Sequence, residues 1–231
     1  MLKTRIITAL ILIAGFIPAL FLLSNTYWAL AMLVLSLMAL YEWASMIKLS
    51  PTQRNIYLVI AAIAGLIVVT LIEKVGFHVF FFKSLLVFFA TALFWILIVP
   101  FWLKTRCVIS NKWVMTVLGL ALILPLWLAL ICAKSADPWL LLALLATIWI
   151  ADTAAYFAGK NFGKHKLAPN ISPGKTWEGV LGALLGATLF AAILLFGFDF
   201  YNAALFPLLW SVTILGVIGD LLIDDEAPSQ Y

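Results

Sequence analysis

Apolar runs of membrane-crossing length recur along this chain, and they constrain its fold more than any other feature. They fall at residues 6–23, 27–47, 56–72, 85–103, 113–132, 138–158, 177–198 and 203–223. A helix crosses the hydrocarbon of a bilayer with roughly 20 apolar residues, and it satisfies its own backbone hydrogen bonds while doing so. The runs therefore predict an all-α, polytopic integral membrane bundle of about eight transmembrane helices. Composition agrees. The 231 residues are 66% hydrophobic and 10% charged, against about 45–50% and about 25% in a soluble domain. A soluble globular domain, a disordered chain and a disulfide scaffold are excluded together. Two distant cysteines, Cys107 and Cys132, form no CxxC pattern, and ten tryptophans suit the membrane–water interface.

Charge orients the bundle. The first run is expected to be a retained span, because it is too long for a leader and no small-x-small cleavage site follows it. With the N-terminus in the cytoplasm, the inside segments hold Lys3, Arg5, Lys48, Arg54, Lys104, Arg106, Lys112, Lys160, Lys164, Lys166 and Lys175. The outside loops hold Lys74, Lys83 and Lys134. Eleven against three is the asymmetry of the positive-inside rule. In that orientation Glu42, Asp152, Glu178 and Asp220 all fall towards the cytoplasmic ends of their spans. A carboxylate in hydrocarbon costs about 2.5–3.5 kcal/mol on insertion scales, so each needs a partner or an aqueous cavity.

The whole chain is expected to be one membrane domain. Residues 1–148 hold spans one to five, residues 149–222 hold spans six to eight, and residues 223–231 form a polar tail. The chemistry concentrates in the second part. Asp152 and Tyr156 share a helix face, and Ala151, Ala154, Ala155 and Ala158 permit close approach of another helix. Gly159 and Lys160 are expected to end that helix. The cytoplasmic loop 159–176 then carries Lys160, Lys164, Lys166 and Lys175. Four cations near buried acids suit a phosphate-bearing ligand, with a divalent ion bridging phosphate oxygens to carboxylates. Ser172 is expected to cap the next helix with Pro173 at its first position, so that Lys175 and Thr176 fall in the first turn. Such a helix start would offer N–H groups to a phosphate. Gly174-Lys175-Thr176 is not a P-loop, since the required first glycine would be Pro169 and no strand–loop–helix unit precedes it. His78 and His165 lack ligand-spaced companions and are expected to be interfacial. No basic–aromatic run suggests nucleic acid. Gly182-x-x-x-Gly186 fits close helix packing.

The positions Trp149, Asp152, Ala155-Tyr156, Gly159-Lys160, Phe162-Gly163-Lys164, Lys166-Leu167, Pro169, Ile171-Ser172-Pro173, Lys175-Thr176 and Glu178-Gly179 resemble the bacterial phosphatidate cytidylyltransferases, or CDP-diacylglycerol synthases. Gly219-Asp220-Leu221 and Tyr41-Glu42-Trp43 resemble the same family. The resemblance implies a multi-pass enzyme of the bacterial inner membrane with its active side in the cytoplasm. It would condense CTP with phosphatidate, giving CDP-diacylglycerol and pyrophosphate, with Mg²⁺ as cofactor and a homodimer as a candidate assembly. By that resemblance Asp220 is a metal ligand, Asp152 and Glu178 support the site, and Lys160, Lys164, Lys166, Ser172, Lys175 and Thr176 contact phosphates. The family continues after Gly-Asp-Leu into a signature built on His-Gly-Gly and Asp-Arg-x-Asp, whereas this sequence reads Leu222-Ile223-Asp224-Asp225-Glu226. On that ground the expectation is a C-terminally truncated member that is inactive alone. A transporter, a nucleotide-dependent polyprenol-type lipid kinase and a non-catalytic relic are the competing readings.

Overall fold

The computed structural model describes residues 13–105, 111–168 and 172–197. Among them, six helices are long and apolar enough to cross a membrane, which makes this an integral membrane protein. The expected last span, with Asp220, lies outside the described residues. The chain divides into two compact units, Met1–Leu140 and Leu141–Tyr231.

In the first unit a shorter apolar helix, α1 (Ile13–Leu22), leads into α2 (Asn25–Met46). Ser24 caps α2 by accepting from the Tyr27 N–H. The next helix, α3 (Pro51–Val75), starts with Pro51 and a reciprocal capping box between Ser50 and Gln53. This arrangement satisfies end groups that would otherwise lack partners. Gly76, at φ 80°, turns the chain into α4 (Phe77–Leu93). That helix continues through a π-helical stretch (Phe94–Ile98) into α5 (Val99–Thr105). Asn111 caps α6 (Lys112–Ala136) by accepting from the N–H groups of Trp113 and Val114.

Tryptophans join α2 to α6. The indole N–H of Trp28 donates to the Leu130 carbonyl at 3.3 Å, Trp127 donates to Ala29 at 3.0 Å, and Trp43 donates to Met115 at 2.8 Å. Partner numbers fall as the others rise, so the two helices run antiparallel. Trp28 and Trp127 are fully buried, contrary to the interfacial placement expected of tryptophan here. An indole N–H buried among apolar side chains needs an acceptor, and a helix carbonyl with a spare lone pair supplies one. Lys134 was expected in an outside loop. It lies instead in the last turn of α6 and is buried, donating to the Leu23 carbonyl at 2.7 Å and to Asn25 Oδ1 at 2.9 Å. It thus ties the α1–α2 turn to α6.

Gly119 is where α6 has no room. A Cβ there would come within 2.5 Å of the Trp43 ring and 2.8 Å of the Tyr57 hydroxyl, which themselves donate to Met115 and Thr116. Gly119→Ala is therefore expected to destabilise by about 1–3 kcal/mol, as overpacking does. Gly15→Ala, with nothing within 4 Å of the added carbon, should be neutral or slightly stabilising. Thermal unfolding of both variants in detergent checks this.

The second unit holds most of α7 (Pro138–Phe162), a hairpin of β1 (Lys166–Ala168) and β2 (Ser172–Thr176), and α8 (Trp177–Gly197). The strands pair antiparallel, Lys166 opposite Thr176 and Ala168 opposite Ser172, with an irregularity between Lys166 and Ala168. An all-α chain did not anticipate this hairpin. Helix α7 also outruns its expected end at Gly159-Lys160, closing at Phe162 with Gly163 donating back to the Gly159 carbonyl.

A candidate basic hairpin at the end of a close helix pair

Small residues bring α7 and α8 together. A Cβ on Gly182 would collide with the Ala158 side chain, and one on Gly186 would lie 2.8 Å from the Ala154 Cβ. Nearer the hairpin, a Cβ on Gly159 would sit 3.7 Å from the Gly179 Cα. Lipid gives apolar helices no hydrophobic reason to associate, so close backbone approach through small residues is what such a pair uses. The expected alanine–glycine seam is thus the observed one.

The start of α8 differs from expectation. Ser172, Pro173, Lys175 and Thr176 do not begin the helix; they form β2, and α8 begins at Trp177. Pro173 disfavours the helical region for Ser172, and the backbone of 172–176 finds partners in β1 instead. Thr176 takes the capping role. It is buried, and its Oγ1 accepts from the Gly179 N–H at 3.1 Å. Gly159 and Gly163 leave the space it fills, since a Cβ on either would come within 3.1 Å and 2.8 Å of the threonine side chain. These glycines of the lysine-rich loop therefore serve packing.

A second donor at the start of α8 is also used internally. The Trp177 N–H donates to the His165 carbonyl at 3.0 Å. Glu178 turns its carboxylate onto His165, accepting from the His165 backbone N–H at 3.2 Å and contacting Nδ1 at 2.7 Å. Two of the N–H groups expected to be open to a phosphate at this helix start are therefore bonded within the protein. His165, which showed no companion along the sequence, is the residue that sequence reasoning missed. Its partner lies thirteen residues away, and only the hairpin brings them together.

The remaining candidates divide by position. Lys164 and Lys166 are exposed on either side of His165, and Lys175 is half-buried in β2. Lys160 is exposed, its ammonium 5.6 Å from the centre of the Tyr156 ring. Asp152 is exposed on α7, ten residues before Phe162, hence about 15 Å along the helix from that end. It sits nearer the helix middle than a shorter span implied. Asp152, Tyr156 and Lys160 recur at the i, i+4 spacing of one helix face. Among the described residues no three His, Cys, Asp or Glu side chains cluster as a metal site.

A close pair of membrane helices carrying a hairpin with exposed lysines defines a class of integral membrane protein with a basic, loop-borne face. The chain belongs to the cytidylyltransferase family, whose model matches residues 3–223. Among curated proteins it is 30% identical to the phosphatidate cytidylyltransferase of Haemophilus influenzae over 210 residues, or 84% of this chain and 72% of that one. It is 34% identical to the protein of the same name from Pseudomonas aeruginosa over 193 residues, or 80% and 67%. The identity rises to 45% with that of Aquifex aeolicus over 91 residues, or 39% and 34%. No solved structure matches the chain.

The Thr176 cap yields a direct expectation. Thr176→Val keeps the volume and removes the acceptor, so stability should fall by about 1 kcal/mol, whereas Thr176→Ser should retain the cap. Thermal unfolding in detergent distinguishes the two.

Proposed function

We propose that this protein transfers CMP from CTP to phosphatidate. A phosphate oxygen of phosphatidate attacks the α-phosphorus of CTP, the bond from that phosphorus to the β-phosphate oxygen breaks, and pyrophosphate leaves. The lipid product is CDP-diacylglycerol. The observation that carries this reading is the family match over residues 3–223, together with two relatives named phosphatidate cytidylyltransferase that align with four-fifths or more of the chain.

The chain's own residues have distinct work in that reaction. Lys164 and Lys166, exposed on the hairpin, pair with triphosphate oxygens; Lys160 extends the same positive face, and Lys175 supports it from β2 with its ammonium nitrogen buried. Ammonium groups held there favour charge that develops on the leaving pyrophosphate. Ser172 and Thr176 belong to the hairpin strand that presents these lysines. Asp152, exposed on α7, has a supporting role, and Asp220 is the metal-binding acid. Mg²⁺ takes one or two carboxylates and completes its shell with substrate phosphates and water, a donor chemistry that Asp220 matches in kind. When bound, it neutralises the triphosphate and the departing pyrophosphate. The apolar runs support eight spans, the distribution of lysine and arginine supports a cytoplasmic N-terminus and hairpin, and the inner membrane and a homodimer are proposed on the family resemblance.

Membranes containing the protein, given CTP, Mg²⁺ and phosphatidate, are expected to form CDP-diacylglycerol and pyrophosphate in equal amounts. Absence of any phosphatidate-dependent product in the membranes contradicts the reading, as does phosphorylation of a lipid alcohol. Asp152→Asn and Lys175→Ala are each expected to lower turnover by about a hundredfold or more, while membrane insertion and detergent stability persist. Near-normal turnover in either variant removes that residue from the site.

A further inference from the structure

We propose that His165 and Glu178 are positioning residues that latch the basic hairpin onto the start of α8. This deepens the reading of the same site and rests on it. Three separate atoms of His165 are engaged. Its carbonyl accepts from the Trp177 N–H at 3.0 Å, its own N–H donates to the Glu178 carboxylate at 3.2 Å, and Nδ1 meets the same carboxylate at 2.7 Å. Strands of three and five residues make a sheet too small to hold its own shape in water. The bonds to α8 therefore decide where β1 lies, and with it Lys164 and Lys166.

The latch also settles the role of the acid. A bare carboxylate among exposed ammonium groups would pair with them and repel a triphosphate. Here the oxygens of Glu178 are engaged by the His165 N–H and imidazole, so they are occupied within the latch. Its side chain is 21% exposed, against 77% for His165. The carboxylate is thus the covered, fixed end of the pair and the imidazole the outer one. The effect of the pair is on where the lysines stand.

Loss of the latch should weaken CTP binding far more than the chemical step. In His165→Ala and Glu178→Ala the KM for CTP is expected to rise by about ten- to hundredfold, the worth of a charge-assisted hydrogen bond. The kcat should stay within about threefold. His165→Asn, whose amide nitrogen stands near the Nδ1 position, should restore most of the loss. The double alanine variant should be no worse than either single one, because the two side chains form one unit. A readout independent of turnover is hydrogen exchange at the amides of 163–177, expected to quicken in both alanine variants and to return towards wild type in His165→Asn. Unchanged exchange in His165→Ala overturns the latch. A collapse of kcat at constant KM in Glu178→Ala overturns its positioning role and makes the acid a participant. If the wild-type protein forms no CDP-diacylglycerol, the proposed reaction fails, while the exchange comparison still decides the latch.

Discussion

The close approach of α7 and α8 is the constraint on which the candidate site depends. Ala154 and Ala158 meet Gly182 and Gly186, and any larger side chain in this seam would push the helices apart. At the hairpin end, Gly159 and Gly179 continue the seam, and Thr176 closes it by capping α8 beside Gly159 and Gly163. With both helix ends fixed, a loop of modest length must double back between them. The result is a hairpin that leaves Lys164 and Lys166 exposed and Lys175 half-buried. The seam sets the two helix ends, and the contact between His165 and Glu178 then bears on where Lys164 and Lys166 stand.

Polar groups inside the first unit obey the same economy. Four donors there find a backbone carbonyl or a side-chain amide: Trp28, Trp43 and Trp127 across α2 and α6, and Lys134 at the α1–α2 turn, whereas Arg54 Nε is buried without a hydrogen-bond partner. In hydrocarbon an unmet donor costs several kcal/mol. These bonds therefore set register as well as adding stability, since sliding α2 along α6 would break several at once.

The fold was largely legible in the sequence, because lipid demands long apolar helices and the runs at 27–47, 56–72, 113–132, 138–158 and 177–198 record that demand directly. The alanine–glycine seam was legible for the same reason. Other features were hidden by degeneracy. Tryptophan serves both as an interfacial anchor and as a buried donor, and nothing local separates Trp28 from an exposed residue such as Trp113. Ser172-Pro173 and Thr176 both signal a helix start; the pairing with β1 decides between them, and that is a tertiary fact. His165 and Glu178 stand thirteen residues apart, a spacing that belongs to neither helix nor strand. Of the candidate site, the four lysines and Glu178 lie together on or beside the hairpin, and Asp152 lies well along α7.

The central claim is that the CMP moiety, and not the terminal phosphate, passes from the nucleotide to the lipid. CTP labelled at the α-phosphorus and CTP labelled at the γ-phosphorus, each supplied with phosphatidate and Mg²⁺, test it most directly. The account predicts label in the lipid fraction from the α-position alone, with the γ-label recovered in pyrophosphate. Label in lipid from the γ-position would contradict it and make the protein a phosphotransferase.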